Sequence, residues 1–83
     1  MPLYLDIHHL SAGTAAEDVA KAHMADLQTQ AKYDVRYLRY WVNQEHGKVF
    51  CLVDAPDKET ASRVHREAHG LEAHILYEVE PGA

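Results

Sequence analysis

The chain has little of what most function classes need. It carries one cysteine, one tryptophan, one phenylalanine, three prolines and four glycines in 83 residues. A lone Cys51 excludes a disulfide framework within the chain and a cysteine-based zinc site. Basic residues are few, eight Lys and Arg against thirteen Asp and Glu, for a formal charge of −5. That balance argues against a nucleic-acid binder, which normally shows a basic face. No apolar run approaches the roughly 20 residues needed to span a bilayer. The Met1–Asp6 stretch lacks the basic region and the apolar core of a signal peptide. A soluble, cytoplasmic protein is expected, with no membrane and no nucleic acid as partner. Gly-rich phosphate loops are absent, and no Ser or Cys has an evident base beside it.

What remains is ordinary globular composition, 47% apolar and 25% charged. The length fits one domain over 1–83. A domain this small buries only about 60–65% of its unfolded surface, so a second copy would help it. The unusual count is histidine, seven in the chain.

Residues 3–8 alternate, with Leu3, Leu5 and Ile7 against Tyr4, Asp6 and His8, the period of a half-buried strand. Ser11-Ala12-Gly13 breaks it. Thr14 and Glu17 fit a capping box, and Ala16, Ala20, Met24, Leu27 and Ala31 recur at helical spacing as one apolar stripe. Val35–Val42 and Lys48–Val53 are rich in strand formers and flank a short turn, so they read as a hairpin. Asp57 suits the N-cap of a second helix with the stripe Ala61, Val64, Ala68 and Leu71, and Gly70 suits the position just past its end. His74–Val79 is the last strand, and Pro81-Gly82-Ala83 is a short tail.

This order predicts an α+β fold, the ferredoxin-like βαββαβ plan. Strands one and three lie in the middle, and both helices cover one face of an antiparallel sheet. The other face should be polar or covered. The second strand is read with Leu38, Tyr40 and Val42 on one side and Val35, Tyr37 and Trp41 on the other. The third strand alternates Val49, Cys51 and Val53 with Phe50 and Leu52. Both sides are apolar, unlike a sheet with one solvated face. A homodimer packed through the open sheet face is therefore expected.

On this plan His8, His9 and His46 fall at one end of the sheet, and His65, His69 and His74 are placed at the other. His65 and His69 stand four apart on one helix face, the spacing of helical metal ligands. They flank the apolar stripe. His74 is placed to add a third nitrogen, and Glu67 or Glu72 an oxygen. His8 and His9 are a weaker candidate pair. Neighbours on a strand point to opposite faces and chelate one ion only if a bulge re-aims one. His9 is expected inside and His8 on the open face. His23 reads as a packed histidine and His46 as a loop residue. Neutral imidazoles suit nickel, copper and zinc. The plain alternative is a solvated helix edge. Cys51 reads as a buried, inert thiol. An acid–base site on the open face is also available from Asp6, His8, Tyr37 and Arg39.

Three segments carry a resemblance: Tyr37-Leu38-Arg39-Tyr40-Trp41-Val42, then Lys48-Val49-Phe50-Cys51-Leu52-Val53 with Ala55-Pro56-Asp57, then Val64-His65-Arg66-Glu67-Ala68-His69-Gly70-Leu71. Together with the Leu3-Tyr4-Leu5-Asp6 start, they resemble a family of small bacterial domains that includes an actinobacterial nickel-binding, nickel-responsive protein. The resemblance implies a ferredoxin-like homodimer that binds nickel at its surface, with sequestration as one role for it. Three readings follow. The first is a divalent-metal binder acting through His65, His69, His74, His8 and His9. The second is a small cofactor-free dimeric enzyme of proton transfer or isomerisation, with its pocket on the open sheet face. The third is a structural dimer with incidental histidines.

Overall fold

The computed structural model describes residues 2–82. Met1 and Ala83, the outer residues of the domain expected over 1–83 and, for Ala83, of the expected tail, lie outside the described residues. The described chain runs β1 (Leu3–His9), α1 (Ala16–Thr29), β2 (Arg36–Asn43), β3 (Lys48–Asp54), α2 (Lys58–Ala68) and β4 (Ile75–Val79), with a 3-10 turn at Gln30–Tyr33. The strands form one sheet in the order β2-β3-β1-β4, antiparallel at every pairing. This is the expected ferredoxin-like α+β fold, with β1 and β3 central.

Strand alternation assigns the faces. Tyr4, Asp6 and His8 of β1 are buried under the helices, beside Val49, Cys51 and Val53 of β3. Leu3, Leu5 and Ile7 therefore face the opposite way. The alternation of β1 was legible, but its buried side is the polar one. In β2 a bulge between Tyr37 and Arg39 shifts the parity. Tyr37 consequently joins Tyr40 and Val42 under the helices, and Arg39 and Trp41 turn to the open face. The simple alternation read from the sequence is corrected on this point.

The stripe expected on α1 is also corrected. Ala16, Ala20, Met24, Leu27 and Ala31 are all exposed. The face that meets the sheet carries Val19 and Asp26, with Ala22 and His23 half-buried between them. A polar partner waits beneath Asp26, so the inner face of this helix is partly polar. The start of α1 differs as well. Ala15 is the N-cap, and the Thr14 hydroxyl donates to the Ser11 carbonyl instead of accepting from the helix. The first amide, that of Ala16, donates to Gln44 Oε1 of the β2–β3 hairpin, 3.1 Å away.

Helix α2 follows the sequence reading closely. Asp57 Oδ1 accepts from the Thr60 amide at 2.7 Å, and Ala61 and Val64 are buried. Gly70, at φ +81°, closes the helix by donating to the His65 carbonyl. Leu71, expected in the stripe, is half-exposed past that turn. Replacing Asp57 with Ala should cost about 1 kcal/mol. A domain of this size should then melt roughly 4–8 °C lower. An unchanged thermal midpoint would show that the cap does not hold α2.

Candidate metal centre

Antiparallel pairing decides where the histidines meet. Leu3 at the start of β1 lies opposite Asp54 at the end of β3, and His9 lies opposite Lys48. Helix α2 leaves β3 beside Leu3 and runs back towards the far end of β1. Strand β4 begins there too, with Ile75 opposite Ile7. So His65, His69 and His74 arrive at the same end as His8, His9 and the His46 hairpin. The division of the histidines between two ends is overturned, because the chain direction reverses after β3 and α2 rises instead of descending.

His65 is the centre. It is 1% exposed, and both of its nitrogens meet carboxylates. Nδ1 lies 2.9 Å from Asp26 Oδ1, and Nε2 lies 2.9 Å from Asp6 Oδ2. A carboxylate only accepts, so the ring donates from both sides. His8 Nε2 lies 3.3 Å from His65 Nε2 and 3.3 Å from Asp6 Oδ1. His69 Nε2 donates to Asp26 Oδ1 at 3.0 Å, while its Nδ1 accepts from the Leu71 amide. The Tyr37 hydroxyl donates to Asp6 and to the Ala61 carbonyl. Cys51 lies opposite Asp6 in the sheet and belongs to the same group of donor atoms as Asp6, His8 and His65.

Burial and charge set the protonation. Burial would lower His65, but the bonds to Asp26 and Asp6 outweigh it and raise the ring to about 9. Burial would raise Asp6, yet the donors His65 and His8 hold it down at about 2. Asp26 is held below its ordinary value in the same way, by His65 and His69 against its own desolvation. Burial pushes the Cys51 thiol far up, helped by the charge on Asp6. The resting state is therefore a buried imidazolium between two carboxylates beside a neutral thiol.

These donors fit a borderline divalent ion in kind and in spacing. Ligand atoms about 2.1 Å from one ion stand about 3.0 Å apart at right angles and about 3.4 Å apart at the tetrahedral angle. His65 Nε2 stands 2.9 Å from Asp6 Oδ2, and His8 Nε2 stands 3.3 Å from both Asp6 Oδ1 and His65 Nε2, so both oxygens of the carboxylate face the two rings. Asp6 Oδ1 is buried, and His8 Nε2 at 3.3 Å is the donor beside it. A thiol and two imidazoles beside a carboxylate suit nickel or zinc better than calcium or magnesium.

Other histidines stand apart from this set. His9 is exposed, and its ring lies 5.2 Å from that of His74, with Lys48 Nζ on its Nδ1. The expected orientations of the first pair are thus reversed, His8 inside and His9 outside. His23 packs on Tyr40 at 4.6 Å, as a packed histidine should. Asp6, His8 and Tyr37 do converge, but under the helices, whereas Arg39 is on the other face. A cavity of about 80 Å³ opens beside the cluster, reached between α1 and the turn after α2 and lined by His8, Val19, Asp26, Cys51, His65 and His69. It lies on the helix side of the sheet, not on the open face.

Sequence reasoning missed Asp26 altogether. The signal was present: Val19, Asp26 and Gln30 share a helix face with His23, but periodicity was sought among apolar residues alone. It placed Cys51 correctly as a buried thiol and did not bring it to the histidines.

A small ferredoxin-like α+β domain with a buried His/Asp cluster is the class that fold and site define. Residues 4–79 match the family model described as nickel responsive protein SCO4226-like, and the chain belongs to that family. The crystal structure of SCO4226 from Streptomyces coelicolor A3(2) is similar over 98% of this chain and 99% of that one, at 30% identity and a TM-score of 0.90. No curated protein matches the chain. Among the described residues, no helix is long and apolar enough to cross a membrane.

The pH response of the metal-free protein follows from these protonation states. His65 titrates near 9 when folded against an ordinary 6.5, so its contribution is complete below pH 6.5 and is lost as the pH rises through 9. Asp6, near 2 against 3.8, contributes above 3.8 and loses that contribution as the pH falls through 2. In chelator, unfolding free energy should fall by on the order of 3 kcal/mol between pH 6.5 and 9.5. Denaturant titrations at the two pH values measure it. The same stability at both would contradict a buried His65 imidazolium.

Proposed function

We propose that this protein is a homodimeric, cytoplasmic binder of divalent transition metal, nickel first and zinc or copper after it. The ion sits on Asp6, His8 and His65, with Cys51 as a further ligand. The observation that carries this reading is the close, buried convergence of Asp6, His8, Cys51 and His65, with donor atoms that all lie within 4.8 Å of one another. Asp26 then acts as the carboxylate that orients His65 through its other nitrogen. His9 and His74, exposed and beside Lys48, lie outside this set. Membership of a family named for nickel response supports the choice of metal.

The ion takes the place of a proton. His65 Nε2 donates to Asp6 in the resting state and must give up that proton to bind. The Cys51 thiol must also lose its proton. Affinity should therefore rise with pH between 6 and 9. Nickel titration by calorimetry at pH 7.5 should show a site that His8→Ala weakens by about 100-fold, a ligand loss being at least as costly as the loss of an orienting partner. The metal-free circular dichroism of the variant serves as the folding control. Equal nickel affinity in a folded His8→Ala protein would remove this assignment.

The dimer rests on the open face. Leu3, Leu5, Ile7, Phe50, Leu52 and Ile75 line it without a covering layer, and Trp41 and Tyr77 are 45% and 56% exposed there. An apolar sheet face of this kind marks an interaction surface, and a second copy packed about a two-fold axis covers it with like against like. Sedimentation should give a dimer for the natural chain and a monomer for Trp41→Glu with Tyr77→Glu. A monomeric natural chain at micromolar concentration would contradict this arrangement.

A further inference from the structure

His65 has ligand-type neighbours on both nitrogens. Its Nε2 faces the Asp6–His8 set. Its Nδ1 lies 2.9 Å from Asp26 Oδ1, which lies 3.0 Å from His69 Nε2. Asp26, His65 and His69 form a second group whose donor atoms all lie within 4.8 Å of one another. One buried ring thus belongs to two ligand sets, one through each nitrogen. An orienting role for Asp26 explains the Asp26–His65 contact but gives His69 nothing to do.

We propose that His65 is a bridging ligand: Nε2 holds the ion of the Asp6–His8 set, and Nδ1 holds a second divalent ion together with Asp26 and His69. This rests on the metal reading above. Charge balance favours the pair. With the first ion alone, Asp6 and a Cys51 thiolate neutralise it, and Asp26 remains a buried carboxylate. With both ions, the negative charges of Asp6, Asp26, the thiolate and a His65 ring free of both protons match two divalent cations. Buried charge is tolerated when compensated in this way. The displaced protons, two from the His65 ring and one from Cys51, pass to solvent.

The second set supplies three ligands, so water must complete the sphere. Asp26, His65 and His69 all line the cavity of about 80 Å³. A water needs about 10–15 Å³ of such space, so the cavity has room for several. The order of filling is also built in. His69 Nδ1 accepts from the Leu71 amide at 3.0 Å. With Nε2 on an ion, a neutral ring carries its proton on Nδ1, and the Leu71 bond is lost. The outer ion therefore binds second and loosens the Gly70–Leu71 turn.

The test counts nickel per chain in the full-length protein after desalting, always as a difference from the natural chain, so that ions elsewhere cancel. His69→Ala should hold one nickel fewer, and His65→Gln two fewer. Amide exchange at Leu71 should quicken only with the second buried equivalent. An unchanged count in His69→Ala overturns the second ion. A loss of one alone in a folded His65→Gln protein overturns the bridge. If His65→Gln fails to fold, Leu71 exchange in the natural chain decides: protection unchanged by loading contradicts the outer ion. Asp6→Asn with an unchanged count is a different failure, since it removes the first ion and the reading on which this one rests.

Discussion

A histidinium held between two carboxylates, with all three groups out of water, is the interaction on which the rest of this small protein is arranged. Desolvating three charges is expensive, and the cost is offset only by close, complete pairing. His65 meets Asp6 and Asp26 at 2.9 Å on each side, and Tyr37, His8 and His69 take up further lone pairs and protons. Removing one partner would strand the others. That explains why β1 presents Tyr4, Asp6 and His8 inward and sends Leu3, Leu5 and Ile7 to the opposite face. It also explains why α1 turns Met24 and Leu27 to solvent and Asp26 to the sheet.

The polar interior has a consequence at the surface. Apolar residues displaced from the helix side of β1 add to Phe50, Leu52, Trp41 and Tyr77 on the open face of the sheet. A domain of 83 residues has a limited core in any case. In the proposed dimer its second apolar layer lies between two copies instead of within one. On this view the dimer and the buried cluster are linked: the interior is free to be polar because the open face can be buried elsewhere.

Much of the fold was legible in the sequence, because it is written in local signals. Strand formers, the Asp57 cap, Gly70 and the hairpin turn each act over a few residues, and the order of elements follows. Faces were harder. The periodicity rule takes the apolar side as the inner one, and in β1 and α1 that premise fails because the inside is a charged cluster. Tyr37 was misplaced because a bulge leaves no mark in the pattern of β2. The histidines were separated by an error of direction, not of chemistry: once β3 is antiparallel to β1, α2 must climb towards His8. The pairing of His65 with Asp26 spans 39 residues, and nothing local to either announces it.

The most direct measurement is an anomalous difference map at the nickel edge from crystals of the natural chain soaked in nickel. A peak bonded to Asp6, His8 and His65 Nε2 is the result required by a buried metal centre. Nickel found only on exposed histidines such as His9 and His74, with His65 still held between Asp6 and Asp26, would contradict it.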